Sequence, residues 1–390
     1  VDNPLRDAAT IVGVGCTDYS RRSGVSTLTL AVQAISAALA DAGLTVRDVD
    51  GVACHRIADS AEPALVAQVL GVADVKFIRD VFGGGSSCIA PLAAAVTAVT
   101  TGQARCVVVW RALNARSGPR MSGAAAMKGL SSDAQYLLPY QHISAPAQFA
   151  MFTRAYMHKY GIGEEDLGRV AIIQRDNAIH NPRAMMRQPM TMDDYLASRW
   201  IYEPLRLFDC CIESDAAVAL VVTSAVDGRN TRRTPVRVCA TASGGGSQLA
   251  SNHHSDLTVT GAAQMAPRLY EAAGVGPADI DVAEFYDAFT SLVPLQLEAY
   301  GFCEPGEAAA MIGAGETRIG GRLPVNTHGG HLSEAYVHGL NHVVEAVRQL
   351  RHECGERQVE GAEVALSTAQ PGINSGITGA VILKREDQTS

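Results

Sequence analysis

The sequence predicts an α/β fold duplicated within one chain. Apolar runs of strand length alternate with helix-period segments from residue 8 to residue 110. Short signatures from that region return in the same order after residue 236. Each half also places a pair of glycines ahead of a long helical pattern.

Ala8 to Val14 is a short apolar run broken by glycine, the pattern of a buried strand. Ser26 or Thr27 can cap a helix that runs to about Ala42. Its Leu28, Leu30, Ala31, Ala34, Ile35, Ala38 and Leu39 share one face, and Gly43 stops it. Val49 to Cys54 is strand-like. Gly83-Gly84-Gly85-Ser86-Ser87-Cys88 then opens an alanine-rich helix ending at Thr101-Gly102, and Cys106 to Trp110 is a β-branched run. From Asn114 to about Tyr156 the periodicity breaks among Gly, Pro, Ser and Met. This predicts an insertion of loops and short helices that shapes a substrate pocket. Helical spacing returns at Leu167 to Asn177, and Ala216 to Thr223 closes the first half as a strand. Asp227 to Thr234 is polar and predicts a linker, which sets the halves at 1–226 and 235–390.

In the second half Val236 to Ala240 is a strand and Ala262 to Ala273 a helix. Asp41-Ala42-Gly43-Leu44 is echoed by Ala272-Ala273-Gly274-Val275. At the same spacing Asp48-Val49-Asp50 is echoed by Asp279-Ile280-Asp281. Gly84-Gly85 is echoed by Gly329-Gly330, and Cys106 to Trp110 by Glu363 to Ser367. Gly379 to Lys384 forms the last strand. A repeat this long means two packed halves, with an active site where their loops converge.

Composition narrows the function. Over 390 residues the formal net charge is -8, and no Lys/Arg stripe tracks phosphates, so nucleic acid is not the expected partner. No run of eighteen apolar residues suggests a membrane span. Val1-Asp2-Asn3-Pro4 leads into the first strand without a signal-peptide pattern. The nine cysteines are scattered, with no C-x-x-C pair, as in a cytoplasmic protein with reduced thiols. His253-His254 and Cys54-His55 lack a third ligand at suitable spacing, so no metal site is expected. The stretch Asn326 to Gly339 stays open on local features. It fits a helix start whose glycines only turn the chain, and equally a loop that holds an anion or a reacting carbonyl.

Two α/β halves, each with a Gly-rich helix start, resemble the thiolase superfamily over nearly the whole chain. The resemblance implies a five-layered αβαβα arrangement. The thiolase nucleophile position falls on Gly85, with Cys88 three residues further on, inside the predicted helix. The N-E-A-F motif falls on Tyr286-Asp287-Ala288-Phe289, G-H-P on Ala335-Tyr336-Val337, and the second cysteine motif near Gln370-Pro371-Gly372. Three motifs are instead similar to the thiolase-like, lipid-transfer-protein-type aldolases of bacterial steroid side-chain degradation. They are R-A-x-N-x-R-S-G at Arg111 to Gly118, Y-D-x-F-T at Tyr286 to Thr290, and N-T-x-G-G-x-x-S-E-x-Y-x-H-G at Asn326 to Gly339.

That resemblance implies retro-aldol cleavage of a β-hydroxyacyl-CoA, a steroid side-chain thioester, to a ring ketone and a short acyl-CoA such as propionyl-CoA. Tyr286 and Tyr336 become the candidate acid and base, and the sequence leaves open which is which; the preferred order has Tyr336 as the base on the hydroxyl side and Tyr286 protonating the enolate. A phenol suits this work if its pKa is lowered from about 10, or if it shuttles a proton onward. His331 and His338 flank Tyr336 and either relay its proton or hold structure. Glu334 orients a ring or caps the next helix. Asp287, if close and charged, would raise the neighbouring phenol's pKa, so it is expected to point elsewhere. Backbone N–H groups at Gly85, Ser86 and Gly372 are candidate enolate donors, and Gly329-Gly330 forms the turn beside the site. Arg111 and Arg116 either meet CoA phosphates or take a solvated or interface role. No tightly bound cofactor is expected, and CoA enters as part of the substrate. The implied partners are a small zinc-ribbon/OB-fold subunit and a second copy of the chain, making a homodimer within a heterotetramer. Two other readings stand beside this one: a β-ketoacyl-CoA thiolase using Cys88, and a non-catalytic lipid or acyl-CoA carrier subunit.

Overall fold

The first strand, β1 (Ala9–Cys16), lies against the first helix, α1 (Thr27–Ala42), with no side chain between them at two points. A methyl on Gly13 or Gly15 would come 2.2 Å from a carbonyl oxygen of Ala38 or Ala34. The helix answers with small residues, Ala31, Ala34, Ala38 and Ala42, all buried. Ser26 Oγ accepts from Thr29 N at 3.1 Å to start α1, and Gly43 at φ 72 ends it.

The computed structural model describes residues 3–118, 136, 138–140, 142, 144–229, 231–246, 256–373 and 376–386. The first half continues through β2 (Gly51–Arg56), α2 (Pro63–Leu70), β3 (Phe77–Phe82), α3 (Ala90–Thr100) and β4 (Cys106–Asn114). Next come α4 (Ala145–Tyr160), α5 (Glu164–Ile179), α6 (Met192–Ala197) and a small hairpin, β5 (Trp200–Tyr202) with β6 (Leu205–Arg206). β7 (Asp215–Ser224) and α7 (Ala225–Gly228) lead to the second half. That half holds β8 (Val236–Gly244), α8 (Gly261–Ala273), β9 (Val282–Glu284), α9 (Leu292–Ala299) and α10 (Ala308–Gly313). It closes with α11 (Gly330–Ser333), α12 (Leu340–Leu350), β10 (Val364–Thr368) and β11 (Thr378–Arg385).

The nine large-sheet strands run β3-β2-β4-β7-β1-β8-β11-β10-β9. β1 meets β8 over Ala9 to Ile11 only, and the order mirrors across that seam. β8, β11, β10 and β9 occupy the places of β1, β7, β4 and β2. The parallel bridge Ala283–Val325 stands where β3 stands in the first half. Side chains separate the layers with period two. Val107 and Val109 of β4 face inward to α3 and α12, whereas Val108 and Trp110 face outward to α1. On the other side Leu366, Ala380 and Ile382 pack against Met265 and Leu269 of α8. The result is the αβαβα order that the resemblance implied, with α3 and α12 as the buried middle layer.

The repeated signatures have a structural cause. Gly43 and Gly274 both end their helices in the left-handed region, at φ 72 and 71. Asp48 and Asp279 both accept the backbone N–H three residues back, at 2.8 and 2.7 Å.

Several expectations need correction. α2 and the edge strand β3 went unpredicted because much of their apolar surface lies outside: Leu65, Val69, Ile78 and Phe82 are exposed, although Val66 and Ala67 of α2 are buried. The Gly83 to Cys88 stretch makes a 3₁₀ turn at Gly85–Ser87 before α3 begins at Ala90. The irregular segment predicted to reach Tyr156 stops earlier, since Ser144 caps α4. Gly329-Gly330 start only the short turn α11, and α12 begins after a second glycine turn at Gly339, φ 91. His253-His254 lies outside the described residues. Among the described residues no helix is long and apolar enough to cross a membrane.

Candidate active site

Tyr286 follows β9 directly, and both its backbone groups are tied down. Its N–H donates to Thr368 Oγ1 at 3.0 Å, and its carbonyl accepts from Gln296 Nε2 at 2.8 Å. Tyr336 lies in the turn between α11 and α12. Ser214 Oγ accepts from its N–H and donates to its carbonyl, both at 2.9 Å. These anchors bring the two phenol oxygens 2.7 Å apart. Glycine clears the space, since a methyl on Gly85 would lie 2.1 Å from the Tyr286 oxygen, and one on Gly339 3.1 Å from its ring.

The phenols are bracketed by imidazoles. The His331 ring stands edge-on to both, 4.8 Å from each centroid, and the His338 ring is 4.9 Å from Tyr336. Burial pushes both tyrosines well above the ordinary phenol range. The neighbouring Tyr336 adds to this for Tyr286, and Cys211 adds to it for Tyr336. The environment therefore does not lower either phenol toward neutrality. It keeps both protonated and leaves the shuttling role. Burial also holds His331 and His338 well below the usual imidazole value, so both are neutral.

A buried polar network supports this pair from behind. Asp287 points away from the phenols, as expected. Its Oδ1 accepts from His331 N at 2.8 Å and its Oδ2 from Leu332 N at 3.3 Å, at the start of α11. His342 Nε2 lies 3.1 Å from Asp287 Oδ1, and His342 Nδ1 lies 2.9 Å from His328 Nε2. His328 Nδ1 is 2.9 Å from Glu284 Oε2. Burial alone would lower His328. Glu334, Glu284 and Glu345 outweigh it and raise the imidazole to about 10, so His328 is cationic. Two overlapping groups, Glu284–His328–His342 and Asp287–His331–His342, bring metal-ligand atoms within 4.8 Å of one another.

The remaining candidates divide. Glu334 does not cap α12; it accepts from Asn181 Nδ2 and Asn341 Nδ2, both at 2.9 Å, and its Oε2 lies 3.5 Å from Nε2 of the His328 ring. Gly329 and Gly330 make room, because methyls there would meet Ala178 at 2.5 Å and Asp287 Oδ2 at 2.2 Å. Gly372 does not offer its N–H, which donates to Gln370 Oε1 at 2.9 Å. Ser86 lines a separate hollow with Ser243, Arg268 and Thr378. Arg111 is wholly buried, paired with Asp59, and donates from Nε to His338 Nδ1 at 3.0 Å, so it meets no phosphate.

A cavity of about 560 Å³ opens onto the tyrosines. Phe149, Phe208, Phe289 and Leu332 make it apolar, while Arg21, Arg116, Arg175 and Arg199 stand on its walls. Phe149 belongs to the stretch read as a pocket-shaping insertion. Sequence reasoning missed the anchors Ser214, Thr368 and Gln296, since lone polar residues carry no local signal for a contact made across the fold.

The chain is similar to known proteins over most of its length. The family described as "Thiolase C-terminal domain-like" matches residues 244–385. A "Steroid side-chain-cleaving aldolase" from Thermomonospora curvata is 45% identical over 89% of this chain and 91% of its own. A "17-hydroxy-3-oxo-4-pregnene-20-carboxyl-CoA lyase" from Mycobacterium tuberculosis is 42% identical over 95% and 98%. This chain belongs to the thiolase-like aldolases. A solved "Ltp2-ChsH2(DUF35) aldolase" superposes with a TM-score of 0.92 at 41% identity, over 98% of this chain and 99% of that one. Human mitochondrial 3-ketoacyl-CoA thiolase shares the fold at a TM-score of 0.71 and 16% identity, covering 98% of this chain and 100% of its own.

In this aldolase the thiol of Cys88 is no thiolase nucleophile. It is fully buried, burial pushes its pKa up, and among the described residues no base lies at hydrogen-bond distance.

Proposed function

We propose that this aldolase cleaves a β-hydroxyacyl-CoA carrying a tertiary hydroxyl on a steroid ring, giving a ring ketone and a short acyl-CoA such as propionyl-CoA. The observation that carries the mechanism is the 2.7 Å contact between two buried, protonated phenols. As the carbon–carbon bond breaks, the substrate hydroxyl gives its proton to the Tyr336 oxygen. Tyr336 passes its own proton to Tyr286, and Tyr286 protonates the enolate carbon. Each phenol gains one proton and loses one, so no phenolate has to exist at rest. That suits sites whose pKa values are raised. Tyr286 and Tyr336 touch the reacting atoms, and His331 packs edge-on against both rings.

The apolar part of the cavity suits a ring system, and Arg21, Arg116 and Arg199 suit the CoA phosphates. No tightly bound cofactor enters the scheme. The solved relative carries a DUF35 subunit in its name, which supports a small zinc-ribbon/OB-fold partner here. β3 is a sheet edge with Ile78 and Phe82 exposed, which suits pairing with a second copy and hence a heterotetramer. We further take 1–226 and 235–390 as the two halves and the cytoplasm as the compartment.

The test is to incubate the chain and its DUF35-type partner with a β-hydroxy steroid acyl-CoA and follow ketone release. Release without free CoA supports the aldolase. Strict dependence on free CoA restores the thiolase reading, and no turnover in either condition restores the carrier.

A further inference from the structure

Retro-aldol cleavage loads negative charge on the thioester oxygen, and a donor must meet it. Of the backbone donors the sequence suggested, Gly372 N–H is already engaged by Gln370. We infer that His338, through its Nε2–H, is the hydrogen-bond donor to the thioester oxygen as it becomes an enolate, and that Arg111 fixes the imidazole in the tautomer this needs. The inference rests on the retro-aldol reading.

The tautomer follows from donor chemistry. Arg111 Nε lies 3.0 Å from His338 Nδ1, and a guanidinium has protons to give but no lone pair to accept with. Nδ1 is therefore the bare nitrogen. With the ring neutral, its one proton sits on Nε2. Among the described residues Nε2 has no hydrogen-bond partner. Arg111 cannot turn away, because its other nitrogens are held by Asp59 and by the Ala112 carbonyl at 3.0 Å.

One further observation points to a ligand here. His55, wholly buried, lies with its ring centroid 5.5 Å from that of His338, and neither of its nitrogens has a partner. Two neutral imidazoles beside a buried cation make a site for a polar oxygen next to Tyr336.

The step balances. The bonding pair of the broken carbon–carbon bond becomes the enolate double bond, and the carbonyl pair moves onto oxygen, which His338 Nε2–H meets. When Tyr286 protonates the carbon, the carbonyl re-forms. His338 keeps its proton throughout.

The test compares His338→Gln, which keeps an N–H donor, with His338→Leu, which has none, in the complex with the partner subunit. His338→Leu should lower kcat by about 10²–10³-fold with KM little changed, and Gln should recover at least about tenfold of that. A Leu variant within about threefold of wild type, or a Gln variant no better than Leu, overturns the inference. Imidazole nitrogen NMR of the wild-type complex, assigned with the variant, should show Nε2 protonated and Nδ1 bare at neutral pH. The opposite tautomer overturns the inference even if the Leu variant fails to fold. Failure of the wild type to release ketone would instead sink the retro-aldol reading, and the NMR result would still judge the tautomer.

Discussion

The Gly83–Cys88 turn of the first half and the Asn326–Gly339 turn of the second stand in matching places, each ahead of a middle-layer helix. Their contents differ sharply. The first holds glycines, serines and one thiol that burial keeps protonated. The second holds Tyr336, His328, His331, His338 and Glu334, all buried. Duplication supplied two equivalent frames, and the buried titratable side chains are concentrated in one. The first frame contributes room, as Gly85 does for the Tyr286 phenol. A duplicated fold can therefore keep its geometry symmetric while its reactivity becomes one-sided.

Variants on the two sides should break this comparison unequally. Tyr336→Phe removes the middle of the relay and should cut kcat by about 10³-fold with substrate binding retained, measured by steady-state kinetics and acyl-CoA titration. Retained activity would remove Tyr336 from the chemistry. Gly85→Ala tests whether room is the first half's contribution. Its methyl would sit 2.1 Å from the Tyr286 oxygen, so a displaced phenol and a loss of about 10²-fold in kcat are expected.

His328→Gln acts on stability. Wild-type His328 is raised to about 10 from an ordinary value near 6.5. The folded state thus binds a proton that the unfolded state releases above 6.5. This stabilisation is fully present below 6.5 and is lost as pH rises through about 10. Thermal midpoints should fall over that interval in wild type. In the variant the fall should begin only where unfolded thiols ionise, near about 8.5. Identical curves would mean His328 is not cationic in the fold. Cys88→Ala should be the mildest change, within about threefold of wild-type kcat, because the thiol has no base and no part in the relay. A dead but folded Cys88→Ala protein would reopen thiolysis.

Much of the fold was legible because the strands and α1 carry strong periodicity, and because the glycine that ends each equivalent helix and the aspartate that caps the 3₁₀ turn after it do the same job twice. The edge strand β3 was not legible, since exposure on its outer side leaves no buried run to detect. At the site, Tyr286 and Tyr336 could be found from their motifs. Their partnership could not, because it depends on Ser214, Thr368 and Gln296 meeting them from distant elements. Arg111 was found by motif and misread, as an arginine buried against an aspartate and an imidazole looks the same in sequence as one awaiting a phosphate. The direction of the tyrosine pKa shifts was also out of reach, because it is set by burial.

The most direct test of the phenol relay is the pH dependence of kcat from pH 7 to 9 with a β-hydroxyacyl-CoA substrate. Both phenols are raised by burial and both imidazoles beside them are lowered, so none of these four groups titrates in that range. A flat profile is the predicted result. A rise through a single ionisation, abolished in Tyr336→Phe, would show a resting phenolate base and contradict the relay.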